Sequence, residues 1–416
     1  MLNEMRRALL CWLVVAWTMA VTVSRAIRMP NDFAEAHWLL DYRFGFIKRG
    51  LIGSICSAVT KLGGVSMSPP LIVTLAVLSF VVFYGALLRI AWRMIRRDEG
   101  DGSATLVLLV LATSPFLVMN AHLFGYFDAV LYALGMAAVA LALRGYLWTA
   151  ALLSVVGILC HESFLLVAFP LLCVAVLVGR HGSDSVPFTW GKVLPLLLPL
   201  LTFLAMAIFQ ARSLDQLALR EQLTAYLSSY DFIPTRSASV ARWHTTGFGE
   251  YIQRQHIYLV RRLLEPGLLA ALGPSLLAML YFSHRALRLR PFGAASMLLL
   301  GAVLAPLAMH AIAWDTARIS SYVVGGGFIA AWIAFELRPR TTIETLALLS
   351  VPAVVLNLFS RYPLMDGEVE RYTHGTRLFL YAPTLVLLIW LIRRQHAGAA
   401  QRAEQEVGSG SQETSP

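Results

Sequence analysis

Charge is scarce in this chain. Of its 416 residues 14% are charged and 58% hydrophobic, which excludes a soluble domain of that length and indicates an integral membrane protein. Cysteine is scarcer still. Cys11, Cys56, Cys160 and Cys173 lie scattered in or beside apolar stretches, with no CxxC pair or ligand spacing, so they read as small buried hydrophobes. A GxxxxGK[ST] loop, a Rossmann fingerprint after a strand and an HExxH helix are all absent, removing the usual signals of ATP hydrolysis, dinucleotide redox chemistry and zinc proteolysis. The alternating pattern of an outer-membrane barrel is also missing, which leaves helices as the spanning elements. A net charge of +10 would suggest nucleic acid in a soluble protein. Here Arg and Lys fall mostly in loops, where they set topology and meet lipid headgroups, and no nucleic-acid partner is expected.

What is present is a succession of apolar stretches, near 8–26, 68–91, 104–119, 128–143, 147–160, 163–179, 193–210, 263–282, 293–313, 319–336, 342–358 and 377–392. They predict an all-α, polytopic transmembrane helical bundle of about 12 spans, with both termini on one side. The first stretch, behind Arg6 and Arg7, imitates a signal peptide through Ser24 and Ala26 and is read as an uncleaved anchor. Clusters at Arg93, Arg96 and Arg97, at Arg285, Arg288 and Arg290, at Arg338 and Arg340, and at Arg393 and Arg394 place the N-terminus inside by the positive-inside rule. Residues 1–394 then form one transmembrane domain, with a first outside loop at 27–67 and a large one at 211–262, and the polar 395–416 segment is a disordered cytoplasmic tail. Both outside loops are themselves rich in cations, against the rule, which calls for a reason such as a phosphate to bind.

Short juxtamembrane helices are expected in these loops. Asp32 and Glu35 have the spacing of a capping box, and Leu51, Ile55, Val59 and Leu62 recur at helical spacing after Gly50, as in a helix lying in the interface. The second loop has helical patterns at Leu214, Leu217 and Ala218 and again after Gly249, and its aromatics include Tyr226, Tyr230, Trp243, Phe248 and Tyr251. These rings could stack on a sugar or grip the headgroup layer.

The unusual polar residues gather at the same set of stretch ends, where each is costly unless it serves a site. Asp32, Glu35 and Asp41 lie beside Arg43, Lys48 and Arg49: a carboxylate can take a proton from an attacking hydroxyl, and guanidiniums can stabilise charge on a leaving phosphate. Capping and headgroup binding are the simpler roles for the same groups. His161 and Glu162 break an apolar run, either as part of a sugar pocket or as a tight polar turn, and position 165 is Leu rather than the histidine a zinc protease needs. His122, Asp128, Asp315 and Arg318 occupy two further turns, and the last two are spaced to pair on a helix. Gly325-Gly326-Gly327 reads as close helix packing.

This layout resembles the GT-C class of polytopic glycosyltransferases and the O-antigen polymerase type of envelope enzymes. The resemblance is architectural: an acidic first outside loop with two short helices, a larger late outside loop and converging polar turns. It implies an inner-membrane enzyme acting at the outer face, with a polyprenyl-phosphate-linked sugar as donor and an envelope glycan or glycolipid as acceptor. By position Asp32 would be the base, with Glu35 and Asp41 as competitors; Arg43, Lys48 and Arg49 would bind the donor phosphate, and His122, Asp128, His161, Glu162, Asp315 and Arg318 would shape the pocket. No cofactor is implied, a divalent cation being left open. The chain lacks the WWD motif and the large soluble C-terminal domain of oligosaccharyltransferases. A multi-span transporter or lipid flippase is the alternative, and it would place its charges near the bilayer midplane.

Overall fold

The computed structural model describes residues 2–98, 102–178, 189–212, 215–338 and 345–395, which are all-helical, with no strand among them. The polar tail expected to be disordered lies, apart from Gln395, outside the described residues. Helix α1 (Leu2–Ser24) is followed by two short helices, α2 (Asp32–His37) and α3 (Gly50–Gly63), before the long α4 (Pro69–Arg97). Next come α5 (Ser103–Thr113) and α6 (Pro115–His122), bent by 40° where Pro115 interrupts the run, then α7 (Asp128–Leu143), α8 (Leu147–Cys160), α9 (Phe164–Val167), α10 (Phe169–Leu177) and α11 (Trp190–Arg212). The cationic loop folds into α12 (Gln216–Ser228), α13 (Ser237–Thr245), α14 (Phe248–Gln255) and α15 (Leu259–Leu263). The described residues close with α16 (Pro266–Leu287), α17 (Ala294–Leu304), α18 (Thr316–Leu337), α19 (Leu346–Phe359), α20 (His374–Leu380) and α21 (Ala382–Gln395).

Six helices are long and apolar enough to cross a membrane, or up to eight if each of the bent pairs α5–α6 and α20–α21 counts as one span. The expected figure of about 12 spans exceeds this because four of the expected stretches fall on shorter apolar helices: α7, α8, the α9–α10 run and α19. Helices of 14 to 16 residues, such as α7, α8 and α19, reach about 21–24 Å at 1.5 Å per residue, short of a ~30 Å hydrocarbon layer.

Helix α18 is the hub, with 94% of its apolar window buried, and it packs on α16, α17, α6 and the short 3-10 turn that continues α17. Gly325 makes this approach feasible, since a Cβ there would lie 2.7 Å from the ring of Phe116. The two ends of the bundle differ. At one, Arg93 and Arg97 of α4 donate to Glu336 of α18 at 3.1 and 2.9 Å, and Arg7 and Arg394 stand over the Trp390 ring. At the other lie α2, α3, α12 to α15 and every residue expected to form the site.

That second end is tied together by a fully buried ion cluster that hydropathy does not reveal. Glu370 accepts from Arg25 Nε at 2.6 Å and from Arg377 Nη2 at 2.7 Å, while its other oxygen accepts from the Tyr362 backbone N–H at 2.6 Å. The cluster fastens the 360–377 segment to the end of α1. Two cations around one carboxylate survive burial only with further partners, and the carbonyls of Asn357 and Ser360 supply them.

α3 packs against the turn that follows α2 at a distance only glycine permits. A Cβ on Gly53 would meet the Leu40 carbonyl oxygen at 1.9 Å, whereas one on Gly85 of α4 would meet nothing within 4 Å. Gly53→Ala is therefore expected to lower stability by about 1–3 kcal/mol, because α3 must move off Leu40. Gly85→Ala serves as the neutral control in thermal unfolding of the detergent-solubilised protein. Equal midpoints for the two variants would contradict this packing.

Candidate functional site

Two ion-paired arginines from opposite parts of the sequence form the centre. Arg49, the residue before α3, has φ 61° and ψ 16°, a left-handed conformation uncommon for a side-chain-bearing residue and typical of places where surrounding contacts impose it. Those contacts are present: Arg49 Nη2 donates to Glu162 Oε1 at 2.6 Å, Nε donates to Oε2 at 3.0 Å, and Nη1 faces His37 Nε2 at 3.1 Å. His37 Nδ1 lies 2.7 Å from the Phe33 carbonyl, which can only accept, so Nδ1 carries the proton and Nε2 accepts from Arg49. Arg318, in the first turn of α18, makes a bidentate pair with Asp128 at the start of α7, through Nη2–Oδ2 at 2.7 Å and Nε–Oδ1 at 3.0 Å. Tyr322, one turn along α18, donates its hydroxyl to the same Asp128 carboxylate, and Arg318 lies 5.3 Å above the Tyr126 ring.

Arg49 and Arg318 open into one cleft of about 140 Å³. Its cationic lining is completed by Arg236, and its aromatic lining comes from Phe33, Tyr126, Trp243 and Trp314. Asp315 is the carboxylate that lines it. One Asp315 oxygen is 3.5 Å from Arg318 Nη1; the other, Oδ1, is buried and has no hydrogen-bond donor among the described residues. Burial raises the Asp315 carboxyl above its ordinary value, against the pull of Arg318.

Of the residues expected to form the site, Arg49, Asp315 and Arg318 line the cleft, while Glu162 and Asp128 hold its two central arginines. His161 stands behind Glu162, its Nδ1 3.5 Å from Oε2 and accepting from the Ser163 backbone N–H at 3.1 Å. Lys48 acts through rings rather than facing the cleft: it donates to the Thr246 carbonyl at 2.6 Å and sits 4.9 Å above Tyr251, which stacks on Trp243 at 5.1 Å with an interplanar angle of 11°. Burial lowers the Lys48 ammonium to about 8, against the pull of Glu162.

The remaining expected residues sit apart. Asp32 accepts from the Thr235 hydroxyl at 2.7 Å and lies 3.7 Å from Arg236, so it positions a cleft cation while its neighbours Asn31 and Phe33 supply the lining. It does not cap α2; Asn31 does, accepting from the Ala34 N–H, so the cap falls one residue before the expected capping box. Glu35 is buried on α2, where burial and the Asp32 charge raise its carboxyl. Asp41 caps the turn at Tyr42–Phe44 and pairs with Arg43 at 2.7 Å, and Arg43 lies 5.0 Å over Tyr226; the pair fastens this turn to α12. His122 is buried at the end of α6, 3.7 Å from Glu368.

Three site residues were not anticipated from sequence: His37, His244 and Arg236. An isolated histidine in the apolar run Ala36-His37-Trp38-Leu39 was the available signal for the first. Among the described residues no group of three or more His, Cys, Asp or Glu is placed to hold a metal ion. No family model, curated protein or solved structure matches the chain.

The histidines give the site a pH dependence. Burial, then the Arg49 charge, lowers His244 from its ordinary 6.5 to about 3; burial, then His244 and Arg49, lowers His37 in the same direction. Both rings are neutral in the folded protein at pH 7 and stay so as pH falls below 6.5, whereas in the unfolded chain they take up a proton there. Between pH 6.5 and about 3 the unfolded chain binds the extra proton, so this stability is complete above pH 6.5 and lost as pH falls. The slope reaches about 1.4 kcal/mol per pH unit for each such group. Glu162 adds its own loss only at lower pH, because Arg49 overrides its burial and holds it well below the ordinary carboxylate value. Chemical unfolding at about pH 7.5 and about pH 5.5 should show the decline, and His244→Gln should flatten it; an unchanged slope in that variant would remove His244 as a contributor.

Proposed function

We propose that the protein is a membrane glycosyltransferase that takes a sugar from a polyprenyl-phosphate carrier at the outer face of a bacterial inner membrane and adds it to an envelope glycan or glycolipid. The observation that carries this reading is the cleft itself. It combines guanidiniums for phosphate, aromatic faces for a sugar ring, and one carboxylate oxygen without a donor, which are the three groups glycosyl transfer from a phosphate donor needs.

In this scheme the acceptor hydroxyl gives its proton to Asp315 as its oxygen bonds to the anomeric carbon. The bond from that carbon to the phosphate oxygen breaks, and the carrier phosphate leaves with the electron pair, its charge balanced by Arg49 and Arg318. Asp315 thus takes the role that position alone suggested for Asp32, whose oxygens are engaged with Thr235 and the backbone of α2. The placement of the charges at helix ends, Arg318 in the first turn of α18 and Asp128 in that of α7, favours surface chemistry over a midplane transport site. The reading of about 12 spans would require the four shorter apolar helices to cross a locally thinned bilayer.

The test is transfer in membranes supplied with lipid-linked sugars of several kinds. Asp315→Asn should reduce turnover by about 10²–10⁴-fold, the range for losing a general base, and Asp32→Asn should keep most of it. The opposite ranking would return the base to Asp32, and absence of transfer from any carrier-linked sugar would overturn the enzyme.

A further inference from the structure

A cavity of about 310 Å³ lies at the other end of the bundle from the cleft, among the first turns of α1, the last turn of α4, the start of α5 and the last turns of α21. Close packing sets one of its walls. Gly102, the residue before α5, has φ 80°, and a Cβ there would stand 2.5 Å from Leu391 of α21, so only glycine lets these two elements abut.

The polar lining is mixed but cationic in balance. Arg7, Arg96 and Arg394 face two carboxylates, Glu4 and Asp98, which leaves one positive charge in excess among the described residues. Asp98 also accepts from the Ala104 backbone N–H at 3.1 Å, which fixes it to the first turn of α5. Arg7 and Arg394 each stand 5.4 Å over the ring of Trp390. The ring therefore serves to hold guanidiniums in place and is not left to stack on a base or a sugar, which points to a phosphate as the ligand group.

The surroundings favour a lipid as its source. Leu10 and Leu13, three and six residues beyond Arg7 on α1, are exposed, as are Ile389 and Val386, five and eight residues before Arg394 on α21. On membrane-spanning helices such residues meet acyl chains, while arginines and a tryptophan in the end turns stand at the level of the headgroups. A molecule that suits both levels has hydrocarbon chains, a phosphodiester for the guanidiniums, hydroxyls that donate to the carboxylates, and one net negative charge.

We propose that this cavity binds the headgroup of an anionic phospholipid of the phosphatidylglycerol type from the adjoining leaflet. Its phosphodiester lies among Arg7, Arg96 and Arg394, and its terminal hydroxyls donate to Glu4 and Asp98. The single excess charge selects this head over phosphatidylethanolamine, whose ammonium could meet the same carboxylates but whose net charge of zero leaves the excess unbalanced. The site is remote from the cleft and does not depend on the glycosyltransferase reading.

The test uses the full-length protein, delipidated in a non-ionic detergent and titrated with each lipid, with bound molecules counted by native mass spectrometry. The first phosphatidylglycerol should bind about tenfold more tightly than phosphatidylethanolamine with the same acyl chains, and an equal concentration of soluble glycerophosphoglycerol should not displace it. Arg96→Gln, at an exposed position, should weaken that first binding about fivefold, and Arg7→Gln with Arg394→Gln about 25-fold, as the attraction per surface cation implies. Arg144→Gln, which removes an exposed cation outside the cavity, should leave it unchanged. If the double variant does not fold, Arg96→Gln against Arg144→Gln decides the matter alone. Equal affinity for the two lipids, or equal effects of Arg96→Gln and Arg144→Gln, would overturn the proposal. Displacement by glycerophosphoglycerol would overturn the lipid assignment, showing that the cavity takes a water-borne phosphodiester.

Discussion

Asp128→Ala is expected to destabilise the folded protein by about 3–5 kcal/mol, the range for removing one partner of a buried ion pair. The carboxylate is buried and receives two hydrogen bonds from Arg318 and one from the Tyr322 hydroxyl. Without it the guanidinium in the first turn of α18 keeps only the Tyr322 hydroxyl, at 2.7 Å, and Asp315, at 3.5 Å, as hydrogen-bond partners, and α18 packs on α16, α17 and α6. Removing both charges should be milder than removing one, because no uncompensated ion is left inside. The double variant Asp128→Ala with Arg318→Leu should therefore recover about 1–3 kcal/mol relative to the sum of the single losses. Denaturant unfolding in mixed micelles, followed by circular dichroism, gives the complete cycle. Simple additivity would mean that the pair is not coupled and that Arg318 finds other partners. Sugar transfer should fall in all three variants, since Arg318 lines the cleft.

Arg49→Lys is expected to leave the fold intact and reduce transfer by about 10²–10³-fold, the loss seen when one preorganised charge-stabilising donor is removed. An ammonium keeps the charge beside Glu162 and so avoids stranding that carboxylate. It cannot reproduce the planar fork, which here donates to both Glu162 oxygens while a third N–H reaches His37, so the position of the charge in the cleft is lost. Because the same residue also holds a left-handed backbone conformation, its alignment depends on all of these contacts at once. The readouts are turnover with carrier-linked sugar and the thermal midpoint of the same preparation. Near wild-type turnover would show that charge alone suffices and that the fork is structural. A fall in midpoint as large as that of Asp128→Ala would show that Arg49 serves the fold first.

Much of the architecture is local and therefore legible. Hydropathy and period located helices at each expected stretch, including the short ones from Asp32 and from Gly50, because the helical period is a property of neighbouring residues. The number of crossings was less legible: a 14-residue apolar helix such as α8 looks the same in sequence whether it spans a membrane or packs inside a bundle. The gathering of polar residues at one set of helix ends also followed from sequence, since alternating spans bring every second connection to the same side.

Their division of labour did not follow. Asp41 and Arg43 stand two apart and Asp32 lies beside the cleft lining, yet the first two pair with each other and the third holds Arg236 and Thr235. Asp315 keeps the pairing with Arg318 that its spacing suggested, at 3.5 Å, and lines the cleft, but nothing in the spacing shows that its second oxygen is left without a donor. The buried Arg25–Glu370–Arg377 cluster left almost no trace, because Glu370 sits in a short polar segment that reads as an ordinary loop.

By itself the sequence determined that this is a helical membrane protein whose polar residues collect at one end of its helices. Only the tertiary structure decided which charge meets which, and the reason is distance along the chain: Arg49 and Glu162 are 113 residues apart, Arg318 and Asp128 190, and Arg25 and Glu370 345. Helical period constrains contacts three or four residues away. Pairings across such separations are selected by which helices pack together and by the need to neutralise every charge that packing buries.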